Sequence, residues 1–327
     1  MKTIRTAVIG VGHLGRQHAR IHAALAAEGK SEFVAVCDTN EATARAVAEE
    51  RGVRRTPDWR TLAGEVDAVS LATPTESHAE IACALLESGV HVLVEKPISR
   101  TLDEADRMIA AAERGGATLM VGHLERFNPA LVALRPHVRN PLYFEIHRVG
   151  QFTARSLDID VVLDLMIHDL DIVLWLVGHD VEVTDVRGVG LPVLTNRVDA
   201  ANARIEFATG AVANITASRV GTEKIRKMRF FQPHDYVAVD YATRRASVSS
   251  LAPPSATGSW PGVHVRIPDI EDVEPLRTEI ELFLAAAREG ATAPVTGAEG
   301  RQALALALRV LERIHEHPIT SRLVAEK

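Results

Sequence analysis

Apolar and polar positions follow two different rhythms along this chain. In the first third, short continuous apolar runs recur at Thr6–Gly10, Phe33–Cys37, Asp67–Ala72, His91–Val94 and Thr118–Val121. Between them lie Ala/Glu/Arg-rich segments of helical length, Leu14–Ala27, Glu41–Arg51, Glu76–Ser88 and Leu102–Arg114. Strands that are apolar on both faces and separated by helices predict a parallel sheet covered on both sides, a doubly wound α/β domain. Gly115-Gly116 closes the last of these helices, where the chain must take positive φ.

The rhythm changes after about residue 123. One helical run, Ile159–Val177, precedes strand-like segments at Val181–Val189, Ala200–Phe207, Ala211–Ser218, Arg229–Gln232 and Tyr236–Asp240. Gly210 sits between two of them as a hairpin signal. Helical segments Glu274–Arg288 and Ala298–His315 close the chain, and the Pro/Ser/Gly-rich stretch Ala252–Gly262 reads as a loop. The pattern predicts a second, α+β domain on a largely antiparallel open sheet, with the division at 1–122 and 123–327.

The first turn carries candidate chemistry. Gly10-Val11-Gly12-His13-Leu14-Gly15 follows the first strand and opens a helix. In such a turn the first glycine permits the tight bend, the second admits a pyrophosphate, and the third allows close helix–strand packing. The helix N-terminus then offers N–H groups to phosphate. Asp38 ends the second strand, placed to accept from an adenosine ribose. Its carboxylate would repel a ribose 2′-phosphate, and Thr39-Asn40 offers no guanidinium, so NAD is favoured over NADP. Residues 1–122 thus read as a dinucleotide-binding Rossmann domain.

A second candidate lies on the 159–177 helix. At about 100° per residue, Asp160, Asp164, His168, Asp171 and Trp175 share one arc, and nearly every other position except Asp169 is apolar. Such a helix is largely buried, so the polar arc is expected to face a cavity or ligand. His168 could take a hydroxyl proton, with Asp164 orienting its ring. The alternative is an exposed helix carrying an ordinary i,i+4 pair.

Composition narrows the classes. A length of 327 residues suits two domains, and 46% hydrophobic with 24% charged residues suits a globular protein. An aromatic content of 4% and a net charge of −6 argue against base-stacking platforms and generic polyanion binding, so no nucleic-acid partner is expected. Cys37 and Cys83 form no disulfide framework, no apolar run reaches membrane-span length, and no signal peptide is evident; a cytoplasmic location follows. His123, His137, His147 and His168 lack metal-ligand spacing, so no metal is expected. Arg219, Lys224, Arg226, Lys227 and Arg229 stand against Glu223 alone, with His147, Arg148 and Arg155 nearby. That cluster could bind a diphosphate, or could be solvated strand ends.

These motifs resemble the glucose–fructose oxidoreductase/inositol dehydrogenase (Gfo/Idh/MocA) family over nearly the whole chain. The marks are the Gly10–Gly15 loop, Ala72-Thr73-Pro74 with His78, Glu95-Lys96-Pro97, and Asp164-x-x-x-His168. The resemblance implies that Lys96 sits near the nicotinamide ribose and the reacting hydroxyl, and that Pro97 is cis. It implies that Thr73 and Pro74 line the nicotinamide, with His13, Leu14, His78 and Glu95 in the same cofactor set. His168 and Asp164 match the family's acid/base pair; the immediate base stays open between His168 and Lys96. Substrate-facing groups are expected at His123, Arg126 and Asn128, with Arg148 and Arg155.

Family members act on sugars, inositols and nucleotide sugars. The stretches Arg126–Asp171 and Phe231–Tyr236 are most similar to members that oxidise C3 of UDP-N-acetylglucosamine. This implies a UDP-sugar substrate and an aminotransferase as functional partner. Inositol or another polyol is the alternative substrate. A non-catalytic NAD(P) sensor or partner-binding protein, and a hydrolase that retains its NAD, are the alternatives of other classes. A homo-dimer or homo-tetramer is expected.

Overall fold

A computed structural model describes residues 3–152, 159–251 and 262–325. The chain forms two compact units, Met1–Leu124 with Glu274–Leu304, and Glu125–Val273 with Ala305–Lys327.

In the first unit, β1 (Arg5–Ile9), α1 (His13–Ala27), β2 (Glu32–Cys37), α2 (Glu41–Arg51) and β3 (Arg54–Thr56) form one half. β4 (Ala68–Leu71), α3 (His78–Glu87), β5 (His91–Glu95), α4 (Leu102–Gly115) and β6 (Leu119–Gly122) form the other. The six strands are parallel in the order β3-β2-β1-β4-β5-β6. The order reverses between β1 and β4, the place where such sheets bind ligands at their carboxyl ends. Every residue of β4 and β6 is buried, which explains why the sequence presents continuous apolar runs there. Helix ends follow local chemistry. Thr101 and Glu104 form a reciprocal capping box at α4, and Gly116 closes that helix at φ 61°.

In the second unit come α5 (Pro129–Leu134), β7 (Tyr143–Gln151), a π-helical turn at Val162–Met166, and α6 (Ile167–Val177). Then follow β8 (Val183–Leu191), β9 (Ala200–Phe207), β10 (Val212–Gly221), β11 (Ile225–Gln232), β12 (Asp235–Asp240), β13 (Arg245–Leu251) and β14 (Val263–Arg266). The eight strands run β14-β13-β12-β11-β7-β10-β9-β8, antiparallel except for the β7–β10 pair. Gly210 turns the β9–β10 hairpin at φ 83°. The loop expected over Ala252–Gly262 falls almost entirely outside the described residues.

The strand β7 is absent from the sequence reading. Phe144, Ile146 and Arg148 alternate inward along it, and a buried arginine at an apolar position masks the period. The helical run from Ile159 also differs. Its first part is a π turn, in which the Ile167 N–H reaches back to Val162 O as well as Leu165 O.

The chain ends with α7 (Pro275–Glu289), α8 (Gly297–Glu316) and α9 (Pro318–Ala325). The compact units do not follow the single cut at 122/123. The helix α7 buries Leu276, Ile280, Phe283, Leu284 and Ala287 and packs on α1 and β5. Helical periodicity reveals a buried face but not which sheet will cover it. Among the described residues, no helix is long and apolar enough to cross a membrane.

Candidate active site

The first unit supplies a dinucleotide cradle. Gly10 takes φ +80°, and a Cβ there would come within 2.7 Å of the Ala72 backbone. A Cβ on Gly15 would lie 1.7 Å from Gly10 O, so helix α1 can start here only with glycine at that position. Gly12 differs, because a Cβ on it would meet nothing within 4 Å among the described residues. Its glycine is not required by the protein's own packing, as expected of the position that lets a pyrophosphate approach. Gly12 caps α1 without a side-chain hydrogen bond, and no acidic residue occupies the first turn. His13 and Leu14 are exposed beside it. These features fit an anionic dinucleotide.

Asp38 is fixed by two backbone donors. The Val11 N–H donates to Oδ2 at 2.8 Å and the Asn40 N–H to Oδ1 at 2.8 Å. The carboxylate is thereby tied to the glycine turn itself.

The opposite half of the sheet places the Thr73-Pro74 and Lys96-Pro97 turns, and the Lys96–Pro97 peptide is cis. His78 joins them. Its Nε2 lies 3.0 Å from Thr73 O, and its Nδ1 lies 3.2 Å from Pro97 O and 3.3 Å from Ile98 O. Burial lowers its pKa against the opposing pull of those carbonyls. Expected as a cofactor-facing group, His78 is a buried brace between two turns, because both ring nitrogens face backbone carbonyls and one of them donates.

Glu95 has a similar place. His18 Nε2 contacts its Oε1 at 2.8 Å, and the Lys96 N–H donates to its Oε2 at 3.3 Å. It lies under the turn, while Lys96 is half-buried at the strand end.

This region also holds a group that the sequence reading missed. Glu279 on α7 is fully buried, and among the described residues neither carboxyl oxygen has a hydrogen-bond partner. Burial, with the nearby Glu95 charge, raises its pKa well above the usual glutamate value. His22, fully buried with Nε2 at 2.9 Å from Ser70 Oγ, is pushed down to about 3 by burial. A signal for Glu279 existed, since it falls on the apolar stripe of α7 between Leu276 and Phe283.

The second unit holds Asp164 and His168, both half-buried, on the π turn and the first turn of α6. The single polar arc does not survive. Insertion of the π turn breaks the 100° progression, and the outer members have other duties. Asp160 accepts from the Val198 N–H at 2.8 Å. Asp171 receives Arg126, Nε to Oδ2 at 2.8 Å and Nη2 to Oδ1 at 2.6 Å. Asp169, the one residue set apart from the arc, receives Arg148 at 2.7 and 2.9 Å.

Several expected substrate contacts are therefore buried supports. Arg148 lies 2% exposed between Asp169 and Glu125, with Nη1 2.9 Å from Glu125 Oε1. Burial works against its charge, but the two carboxylates more than reverse this and its pKa rises. Arg126 is 4% exposed. Asn128 caps α5 through the Ala130 N–H and donates to Tyr241 O. His123 is buried, and Arg155 lies outside the described residues.

The basic cluster divides as well. Successive strand residues point to opposite faces. Arg148, paired with Arg226 and Ala217 in register, shares a face with α6, whereas His147 and Lys227 point the other way. On that other face lies a groove of about 860 Å³ that includes His147, Lys227, Arg229 and Tyr236. Carboxylates meet most of the cations, Arg219 with Asp199, Arg229 with Glu145, and Lys227 with Asp240. The cluster is therefore not one anion cradle. Among the described residues, no group of three His, Cys, Asp or Glu could hold a metal ion.

Comparison with known proteins agrees with this architecture. Residues 4–123 match the model of an oxidoreductase family with an NAD-binding Rossmann fold, and residues 102–231 match the GFO/IDH/MocA C-terminal domain. UDP-N-acetylglucosamine 3-dehydrogenase of Acidithiobacillus ferrooxidans is 41% identical over 94% of this chain and 96% of that protein. Inositol 2-dehydrogenase of Rhizobium meliloti is 27% identical over 96% and 98%. The solved structure of the Acidithiobacillus enzyme superposes with TM-score 0.89 and 38% identity, covering 99% of this chain and 100% of that one. A levoglucosan dehydrogenase in complex with NADH and levoglucosan, at 20% identity, shares the fold with TM-score 0.85 over 96% and 98%. The glycine cradle, the Lys96 turn, the second sheet and these matches lead to one statement: the chain belongs to the Gfo/Idh/MocA family of NAD-binding oxidoreductases.

Proposed function

We propose that this protein oxidises the C3 hydroxyl of UDP-N-acetylglucosamine to a ketone, with NAD+ as oxidant. The observation that carries the reading is the 41% identity, over 94% of the chain, to an enzyme of that name. The chain also retains Lys96, Asp164 and His168.

Gly10, Gly12 and Gly15 would hold the pyrophosphate against the start of α1, and Asp38 the adenosine ribose. When bound, the nicotinamide supplies the hydride acceptor. The protein's task is to orient the alcohol and remove its proton. Lys96 and His168 are the groups assigned to that proton, with Asp164 stabilising the charged imidazole. Glu95 and His78 hold the Lys96 turn from beneath. The reading further places the protein in the cytoplasm as a homo-dimer or homo-tetramer, with an aminotransferase consuming the ketone.

The division of the basic cluster over two sheet faces favours a second reading, oxidation of an inositol or other polyol, which needs no diphosphate cradle. The test is growth of the NADH absorbance band with purified protein, NAD+ and a ketone trap. A signal with UDP-N-acetylglucosamine, absent with free N-acetylglucosamine and with inositol, supports the first reading. A signal with inositol alone replaces it with the second.

A further inference from the structure

We infer that Arg126 and Arg148 are positioning residues for His168, two clamps that fix the rotation of α6 about its own axis. The inference rests on the reading of His168 as a proton-transferring group.

Its basis is geometric. At 100° per residue, Asp169 stands about 100° to one side of His168 and Asp171 about 60° to the other. Each of these carboxylates is 1% exposed and receives two guanidinium nitrogens of one arginine. Two-point contacts of this kind fix orientation as well as distance. Turning α6 in either sense would therefore distort one clamp or the other.

The arginines are themselves anchored. Arg148 comes from β7, donates to Glu125 and lies over the Tyr241 ring at 5.6 Å. Arg126 follows the entry to the unit, with His179 Nε2 at 3.3 Å from Nη2 and the Trp175 ring at 5.8 Å. The anchors thus tie the helix to the sheet and to the entry segment. The precision matters because a rotation of roughly 10° carries a side-chain atom at the helix surface by about 1 Å. Misplacement on that scale can cost about a hundredfold in rate.

The test uses the full-length protein and the variants Arg148→Lys and Arg126→Lys, which keep the charge but lose the fork. The first readout is the ¹⁵N chemical shift of the His168 imidazole, identified by its loss in His168→Gln, with His91 on β5 as the reference. Positioning predicts that both variants move the His168 signals and leave those of His91 in place. Unmoved His168 signals in both variants would overturn the inference. If either lysine variant fails to fold, Asp169→Glu and Asp171→Glu keep both partners charged and serve the same comparison.

The second readout is a double-mutant cycle in single-turnover reactions with NAD+ and UDP-N-acetylglucosamine. Arg148→Lys is expected to slow the reaction about 10–100-fold in the wild-type background and to have no further effect in His168→Ala. An Arg148→Lys effect that appears as a raised half-saturating concentration of UDP-N-acetylglucosamine and persists in His168→Ala would make Arg148 a substrate contact and overturn the inference. Full turnover by His168→Ala alone would defeat the functional reading on which the inference rests, whatever Arg148 does.

Discussion

The glycine turn after β1 and the helix that carries His168 are built on opposite plans. The turn works through backbone. Its glycines are set by what a Cβ would strike, and its donors are N–H groups at a helix end. The helix works through buried charge, with Asp169 and Asp171 each closed by an arginine from elsewhere in the unit. A backbone device leaves its signature at fixed positions within six residues. A charge-pair device spreads over positions 125 to 171 and leaves no local pattern.

The largest test of this contrast is catalytic. Lys96→Ala and His168→Ala should each reduce turnover by about 10²–10⁴-fold while NADH binding, followed by its fluorescence, stays near that of the wild type. Loss of NADH binding in both would make these residues supports of the cofactor site.

Next in size is stability. Asp169→Asn deprives buried Arg148 of one of its two carboxylates and should cost about 3 kcal/mol, read from urea unfolding. Arg45→Ala, at an exposed i,i+4 pair with Glu41, should cost well under 1 kcal/mol. Equal costs would erase the distinction between the clamps and ordinary surface pairs.

Gly12→Ala sharpens the other side of the comparison. Nothing among the described residues opposes its Cβ, so thermal stability should be nearly unchanged while NADH affinity falls about tenfold. Gly15→Ala, by contrast, should lower stability even without cofactor. Unchanged NADH affinity in Gly12→Ala would mean that the pyrophosphate does not pass there.

The smallest expected effect concerns Glu279. Its folded pKa is raised above the ordinary value of 4.5, so the native state keeps a proton that the unfolded chain gives up. Stability from this group is therefore full below about pH 4.5 and declines as pH rises towards the folded pKa. Glu279→Gln removes that decline. Its melting temperature relative to wild type should rise by about 2–4 °C between pH 5 and pH 8. A difference independent of pH would indicate a carboxylate already charged in the folded protein.

The sequence made much of the first unit legible. Buried parallel strands are apolar throughout, glycines mark positive φ, and the dinucleotide turn has fixed spacing. Helix Glu41–Arg51 keeps the bounds read from sequence because Asn40 caps one end and Gly52 closes the other. In the second unit the same reasoning found Ala200–Phe207 but not β7, whose inward position 148 is an arginine. The family resemblance and the basic cluster also placed Arg126 and Arg148 against substrate, whereas both are buried. Only folding supplies the carboxylates that let them be buried.

Local sequence thus determined the period of the strands, the glycine cradle, Asp38 at the end of β2, and Asp164 and His168 four residues apart. Those features depend on backbone conformation and near neighbours, which the chain specifies within a turn or two. Tertiary structure alone decided that α7 belongs with the first sheet and brings Glu279 beneath it, that a π turn separates Asp160 from His168, and that Arg126 and Arg148 grip α6. These depend on pairings across 21 and 45 residues, or on which sheet covers a helix face, and burial makes a charge tolerable only once its distant partner has arrived.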